Sequence, residues 1–77
     1  MDNGIIFIAI YHNFGDEKCP KILDVFRAKK NAQKCIRGHK KLRLIEAMEE
    51  KSMKKKEAQE YLEFNEKWEV LDMAFAD

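Results

Sequence analysis

The residues best equipped for chemistry are two histidines and two cysteines: His12, Cys19, Cys35 and His39. Cys35 and His39 stand four apart, so on a helix they face the same way, and with His12 and Cys19 they make up the one conceivable metal set. Spacing argues against it. The chain has neither a C-x-x-C nor an H-x-x-x-H pair, and the ligand spacings of structural zinc sites are not met. A thiolate nucleophile would draw on the same residues, with His39 one turn from Cys35 and basic side chains nearby. Cys35, however, lies between Ala32 and Ile36, where a small hydrophobe is the ordinary explanation. A Cys19–Cys35 disulfide would need an oxidising compartment. The paired acids Glu49 and Glu50 are adjacent on a helix and do not converge. Gly4, Gly15 and Gly38 are too scattered to cradle a phosphate. These residues lead to the expectation of a protein that is not an enzyme, with no cofactor, no metal and no small-molecule substrate.

Charge offers a second kind of chemistry. The net charge is +1, which gives no global pull toward nucleic acid or membrane. Its distribution is uneven: basic residues crowd the stretch from Lys18 to Arg43, where Asp24 is the only acid, whereas Lys67 is the only base from Glu57 onward. Lys29, Lys30, Lys34, Arg37, Lys40, Lys41 and Arg43 could meet phosphates along a helix, with Tyr11 or Phe14 stacking on a base. Lysine dominates that group, so such binding would be weakly sequence-specific. The plainer reading is a solvated helix face whose lysines discourage aggregation.

The element that must position all of this is the run Gly4-Ile5-Ile6-Phe7-Ile8-Ala9-Ile10-Tyr11-His12. Its β-branched and aromatic residues favour extended backbone, and alternation puts Ile6, Ile8 and Ile10 on one face and Ile5, Phe7, Ala9 and Tyr11 on the other. Both faces are apolar, so both need cover, and this reads as a central strand. Asn13 to Pro20 is a long hairpin connection. Lys21 to Arg27 is the return strand, with Ile22, Asp24 and Phe26 on one side and Leu23, Val25 and Arg27 on the other; Asp24 suits an edge.

From Ala28 the pattern turns helical, with Ala32, Cys35, Ile36, His39 and Leu42 on one stripe. Beyond it Leu44, Ala47 and Met48 are expected nearly opposite Cys35 and His39, so the helix must change what it faces, with Gly38 as a place for a kink or break. A second helix is expected from Met53 to about Glu63, started by Ser52 as a cap. Phe64-Asn65-Glu66 reads as a turn. A third strand then alternates Trp68, Val70, Asp72 and Ala74 against Glu69, Leu71, Met73 and Phe75. A right-handed crossover fixes the strand order as 2-1-3 with antiparallel neighbours. The expected fold is α+β, a β-β-α-α-β chain whose three-stranded antiparallel sheet is accompanied by a long or kinked helix and a short second helix. Seventy-seven residues make one small domain, a size at which a single core is marginal. No signal-like start is seen, and the apolar run of about eight residues is far short of the roughly 20 a spanning helix needs, so the expected location is the cytoplasm, without membrane attachment.

The order strand, turn, strand ending in Val25-Phe26, then Ala28-Lys29-Lys30-Asn31-Ala32-Gln33-Lys34-Cys35-Ile36, and last Trp68-Glu69-Val70-Leu71-Asp72, resembles small β-β-α-β proteins common in phages and other mobile elements. What the resemblance implies is an accessory protein, such as an inhibitor of a host enzyme or of a defence complex, anti-CRISPR proteins being one such group. The expected partner is a protein. It would be met through the second apolar face of the sheet, carried by Ile5, Phe7 and Tyr11 or by Ile6, Ile8 and Ile10, with Tyr11, Phe14, Trp68 and Val70 as the candidate interface residues and a homodimer as one form of it. The competing expectation is that the second helix folds back and buries Tyr61, Leu62 and Phe64 against the second sheet face. The alternative function is a nucleic-acid-binding regulator using the basic helix surface.

Overall fold

The computed structural model describes residues 4–75. Strand β1 (Gly4–Asn13) and strand β2 (Lys21–Phe26) form a hairpin, followed by helix α1 (Lys29–Glu50), helix α2 (Lys55–Asn65) and strand β3 (Glu66–Phe75). The sheet has the order β2-β1-β3, with both pairings antiparallel. The isoleucine-rich segment is therefore central, flanked on both sides, as its two apolar faces require. β3 pairs with β1 along all ten positions, from Gly4 opposite Phe75 to Asn13 opposite Glu66. Among the described residues no helix is long and apolar enough to cross a membrane.

β2 departs from simple alternation. Its register against β1 shifts between Ala9 and Ile10, which leaves Leu23 as an extra residue between Ile22 and Asp24. Such a bulge swaps the faces of everything beyond it. Ile22, opposite Ile10, thus shares a face with Val25, opposite Ile8, while Asp24 and Phe26 lie on the other face opposite Ala9 and Phe7. Strict alternation would have put Ile22 with Asp24 and Phe26.

α1 runs unbroken for 22 residues through Gly38, whose missing Cβ would meet nothing within 4 Å. No kink is needed because the buried line is nearly continuous: Ala32, Ile36, His39, Arg43 and Ala47 recur at spacings of three and four. Ala47 lies only roughly 40° round the helix from Arg43, so it belongs to this line and is not opposite it. Leu42, expected on the stripe, is exposed. What changes is the neighbour: the first half of α1 buries Ala32 and Ile36 over β1 and β2, and the second half packs Ala47 against Ala58 and Leu62 of α2. Fully buried alanines at 9, 32 and 58 keep these layers close.

Two boundaries differ from expectation. Ser52 caps nothing; it sits at φ 51°, in the left-handed region, just past the C-cap Lys51 of α1, and α2 begins at Lys55 with no side-chain cap. Phe64 and Asn65 continue α2 in place of a turn, and β3 starts directly at Glu66. The Phe14 N–H donates to the Asn65 carbonyl at 2.9 Å, tying the hairpin loop to this helix end.

Candidate protein-binding face

Both helices lie on the Tyr11 side of the sheet. Ala9 and Tyr11 are buried there, and Trp68 and Val70, opposite Tyr11 and Ala9 on β3, occupy the same covered face. A polar network locks this layer. Glu66 accepts from the Tyr11 hydroxyl at 2.5 Å and receives Arg43 in two parallel bonds, Nε to Oε1 and Nη2 to Oε2, each 2.9 Å. Asn13 Nδ2 donates to the Tyr11 hydroxyl at 3.2 Å, and Arg43 also stands 3.6 Å from Glu46. Burial alone would raise the Glu66 pKa, but the hydrogen bonds from Arg43 and Tyr11, with the Arg43 charge, overcome it and hold the carboxyl below its ordinary value. The Tyr11 phenol is pushed up to about 12, by burial first and then by its bond to Glu66.

Beside this network, Trp68 Nε1 donates to His39 Nδ1 at 2.9 Å, which makes Nδ1 an acceptor and leaves the imidazole proton on Nε2. The Tyr11 ring meets the His39 ring edge-on at 4.6 Å. Burial, and then the Arg43 charge, lower the His39 pKa. His39 and Arg43 are thus a helix-to-sheet clamp. Arg43, a candidate for phosphate contact, is committed to Glu66.

The opposite face of the sheet is bare. Ile6, Ile8 and Ile10 of β1 have Met73, Leu71 and Glu69 opposite them on β3, and Val25 and Ile22 opposite Ile8 and Ile10 on β2. No element of the described chain lies over them. Ile22, Val25, Leu71 and Met73 are all exposed large apolar side chains, Leu71 at 45 % and Ile22 at 65 %. The side chain of Phe75 lies outside the described residues. At one end the face turns polar, where His12 Nε2 stands 3.4 Å and Lys67 3.5 Å from the Glu69 carboxylate; the neighbouring His12 first, and then Lys67, lower the Glu69 pKa. From strand spacing and rise, the apolar part spans roughly 15 Å by 20 Å.

The apolar surface therefore lies on the side away from three of the four residues expected to form it. Tyr11, Trp68 and Val70 are under the helices; Phe14 alone is strongly exposed, in the hairpin loop. Nor does α2 fold over the second face: Leu62 is buried against α1, and Phe64 points into solvent. The signal for the true face was the unbroken Ile6-Ile8-Ile10 alternation, but choosing between the two apolar faces of β1 required knowing where the helices land.

The basic candidates sort by direction. Lys30, Lys34, Arg37 and Lys41 are exposed at spacings of four, three and four, on the side of α1 away from the sheet, so they form one ridge roughly 16 Å long. Lys29 and Lys40 are exposed on its flank; Lys40 Nζ lies 5.5 Å from the Trp68 ring centroid. Cys19 and Cys35 are free thiols. Among the described residues no group of three His, Cys, Asp or Glu side chains is placed to hold a metal ion. Comparison with protein-family models, with curated proteins and with solved structures finds no match to this chain.

Proposed function

We propose that the protein acts by binding another protein through the bare face of its sheet, and not by catalysis. One observation carries this reading: seven apolar side chains, Ile6, Ile8, Ile10, Ile22, Val25, Leu71 and Met73, stand together on a face that the described residues leave uncovered. Contiguous apolar surface with a polar border is characteristic of interfaces, and leaving it wet is a liability unless something occupies it. The resemblance to small phage and mobile-element proteins supplies the setting, an accessory or inhibitory protein working in the host cytoplasm against a host-defence complex.

Retrieval of bound proteins from a bacterial lysate tests the proposal. The wild type and a Lys30→Glu/Lys34→Glu variant are expected to hold the same protein, and a Leu71→Lys/Met73→Lys variant of unchanged circular dichroism to lose it. A partner held equally by the wild type and both variants, or no partner held by the wild type, contradicts it.

A second reading, nucleic-acid binding, is favoured by the Lys30, Lys34, Arg37 and Lys41 ridge. Lys29 and Lys30 open a helix with no acid in its first turn, although positive charge opposes the dipole there. DNA or RNA affinity that falls steeply with salt, and is abolished by Lys30→Glu/Lys34→Glu, would establish it; no binding at low salt removes it.

A further inference from the structure

The two edges of the sheet are not alike. β2 is short and guarded: it has six residues, the bulge at Leu23 interrupts it, and Asp24 Oδ1 accepts the Val25 N–H at 2.8 Å. A short strand, a bulge and an amide already taken are all obstacles to the addition of another strand. β3 presents none of them. It runs ten residues beside β1 without a register shift and contains neither proline nor glycine.

The phase of the ladder shows which groups of β3 face outward. The Phe14 N–H donates to the Asn65 carbonyl one step beyond the Asn13–Glu66 pair, so the hydrogen-bonded positions of β3 against β1 are Lys67, Glu69, Leu71 and Met73. The residues between them turn their N–H and C=O groups away from β1. The Glu66 N–H bonds to the Leu62 carbonyl, but those of Trp68, Val70, Asp72 and Ala74 have no partner among the described residues. An edge of this kind takes up extended chain through its backbone.

We propose that the free edge of β3 pairs with β3 of a second copy, antiparallel about a two-fold axis at Leu71, to give one sheet of order β2-β1-β3-β3-β1-β2. Leu71 is the midpoint of the free groups. Val70 then exchanges two hydrogen bonds with Asp72 of the other copy, and Trp68 with Ala74, each pair occurring twice by symmetry. The charges agree with this register: Glu69 meets Met73 and Asp72 meets Val70, whereas an axis at Glu69 or Asp72 would set a carboxylate against itself. Leu71 to Ala74 are all exposed, and α2 joins β3 at Glu66, outside the paired stretch, so the edge is open to approach. The pairing is made by backbone and leaves the bare faces of the two copies open and continuous, so it stands or falls apart from the proposed function.

Sedimentation equilibrium of the full chain over a concentration series tests it. A monomer–dimer equilibrium is expected, in which Asp72→Pro raises the dissociation constant about tenfold or more, because it removes an outward N–H from each copy and its ring blocks the edge. Asp72 shares the helix-side face with Tyr11, and its N–H makes no bond to β1, so circular dichroism should not change. In a Cys19→Ser/Cys35→Ser background, Leu71→Cys should oxidise to a covalent dimer and Glu69→Cys should not, since residue 71 alone faces its own counterpart. Amide exchange of the wild type needs no variant: the Val70 and Asp72 amides should slow as concentration rises. A wild type that stays monomeric at the highest concentration overturns the proposal. So does a dimer that is indifferent to Asp72→Pro, that leaves Val70 and Asp72 exchanging as in dilute solution, or that Glu69→Cys cross-links as readily as Leu71→Cys.

Discussion

At the scale of single residues, the molecule turns on a carboxylate shared by three elements. Glu66 is buried at the first position of β3, neutralised by a guanidinium from α1 and hydrogen-bonded by a phenol from β1. Removing its charge strands Arg43 in a poorly hydrated position. Glu66→Gln is expected to destabilise the fold by about 2–3 kcal/mol in urea unfolding, less than for a fully buried pair because Arg43 keeps partial contact with water. The pH dependence has a definite sign. A carboxyl whose folded pKa lies below its ordinary 4.5 contributes stability above that value and loses it as pH falls through the folded one. The wild type should therefore lose more stability below pH 4.5 than Glu66→Gln does. His39 works in the same direction at higher pH. Its folded pKa is lowered from 6.5, so the unfolded chain takes up the proton first and stability declines as pH falls below 6.5. Trp68, the only tryptophan, donates to His39 and reports this: its fluorescence should titrate with a midpoint below 6.5, and the transition should vanish in His39→Gln. None of this was legible in the sequence. Arg43 and Glu66 read as surface charges, because partners 23 positions apart leave no local pattern, and His39 shows only as one more member of a helical stripe.

At the scale of elements, most of the architecture was legible, because it rests on periodicity. The isoleucine-rich strand, its return strand, the long helix and the final strand each carry a period that burial enforces, and the sheet order follows from which strand is apolar on both faces. What stayed hidden depends on contacts between elements. The extra residue at Leu23 in β2 turns Ile22 onto the bare face, and no single-strand pattern announces a bulge. Likewise Gly38 suggests a break when read alone, but α1 is held through it by packing on both sides, on the sheet before it and on α2 after it. Gly38 is thus a weakness that the fold tolerates. With open space around its missing Cβ, Gly38→Ala should stabilise by about 0.5–1 kcal/mol, seen as a raised melting temperature. Ser52, in the left-handed conformation next to the α1 C-cap, should gain about 1 kcal/mol as Ser52→Gly, the residue that conformation favours. A loss on Gly38→Ala would mean that α1 is bent or crowded there.

At the scale of the whole molecule, the described residues cover the sheet on one side only, and this sets the balance between stability and the proposed binding. Among the described residues no side chain larger than alanine is completely buried, so the core is thin, as expected of a chain this short. The apolar residues that would have thickened it are displayed instead. Substitutions on the two faces should therefore behave in opposite ways. Leu71→Lys and Met73→Lys replace side chains already about half in water and should change stability by less than about 1 kcal/mol. Ala58→Leu, which forces the α1–α2 contact apart, should cost about 1–3 kcal/mol. The most direct test places a photoreactive phenylalanine analogue at Leu71 and, as a control, at Lys56 on the exposed side of α2, and then irradiates cells producing each variant. The account predicts a discrete covalent adduct with another protein from position 71 and none of the same mass from position 56. An irradiated position 71 that captures nothing, or the same spread of proteins as position 56, would contradict it.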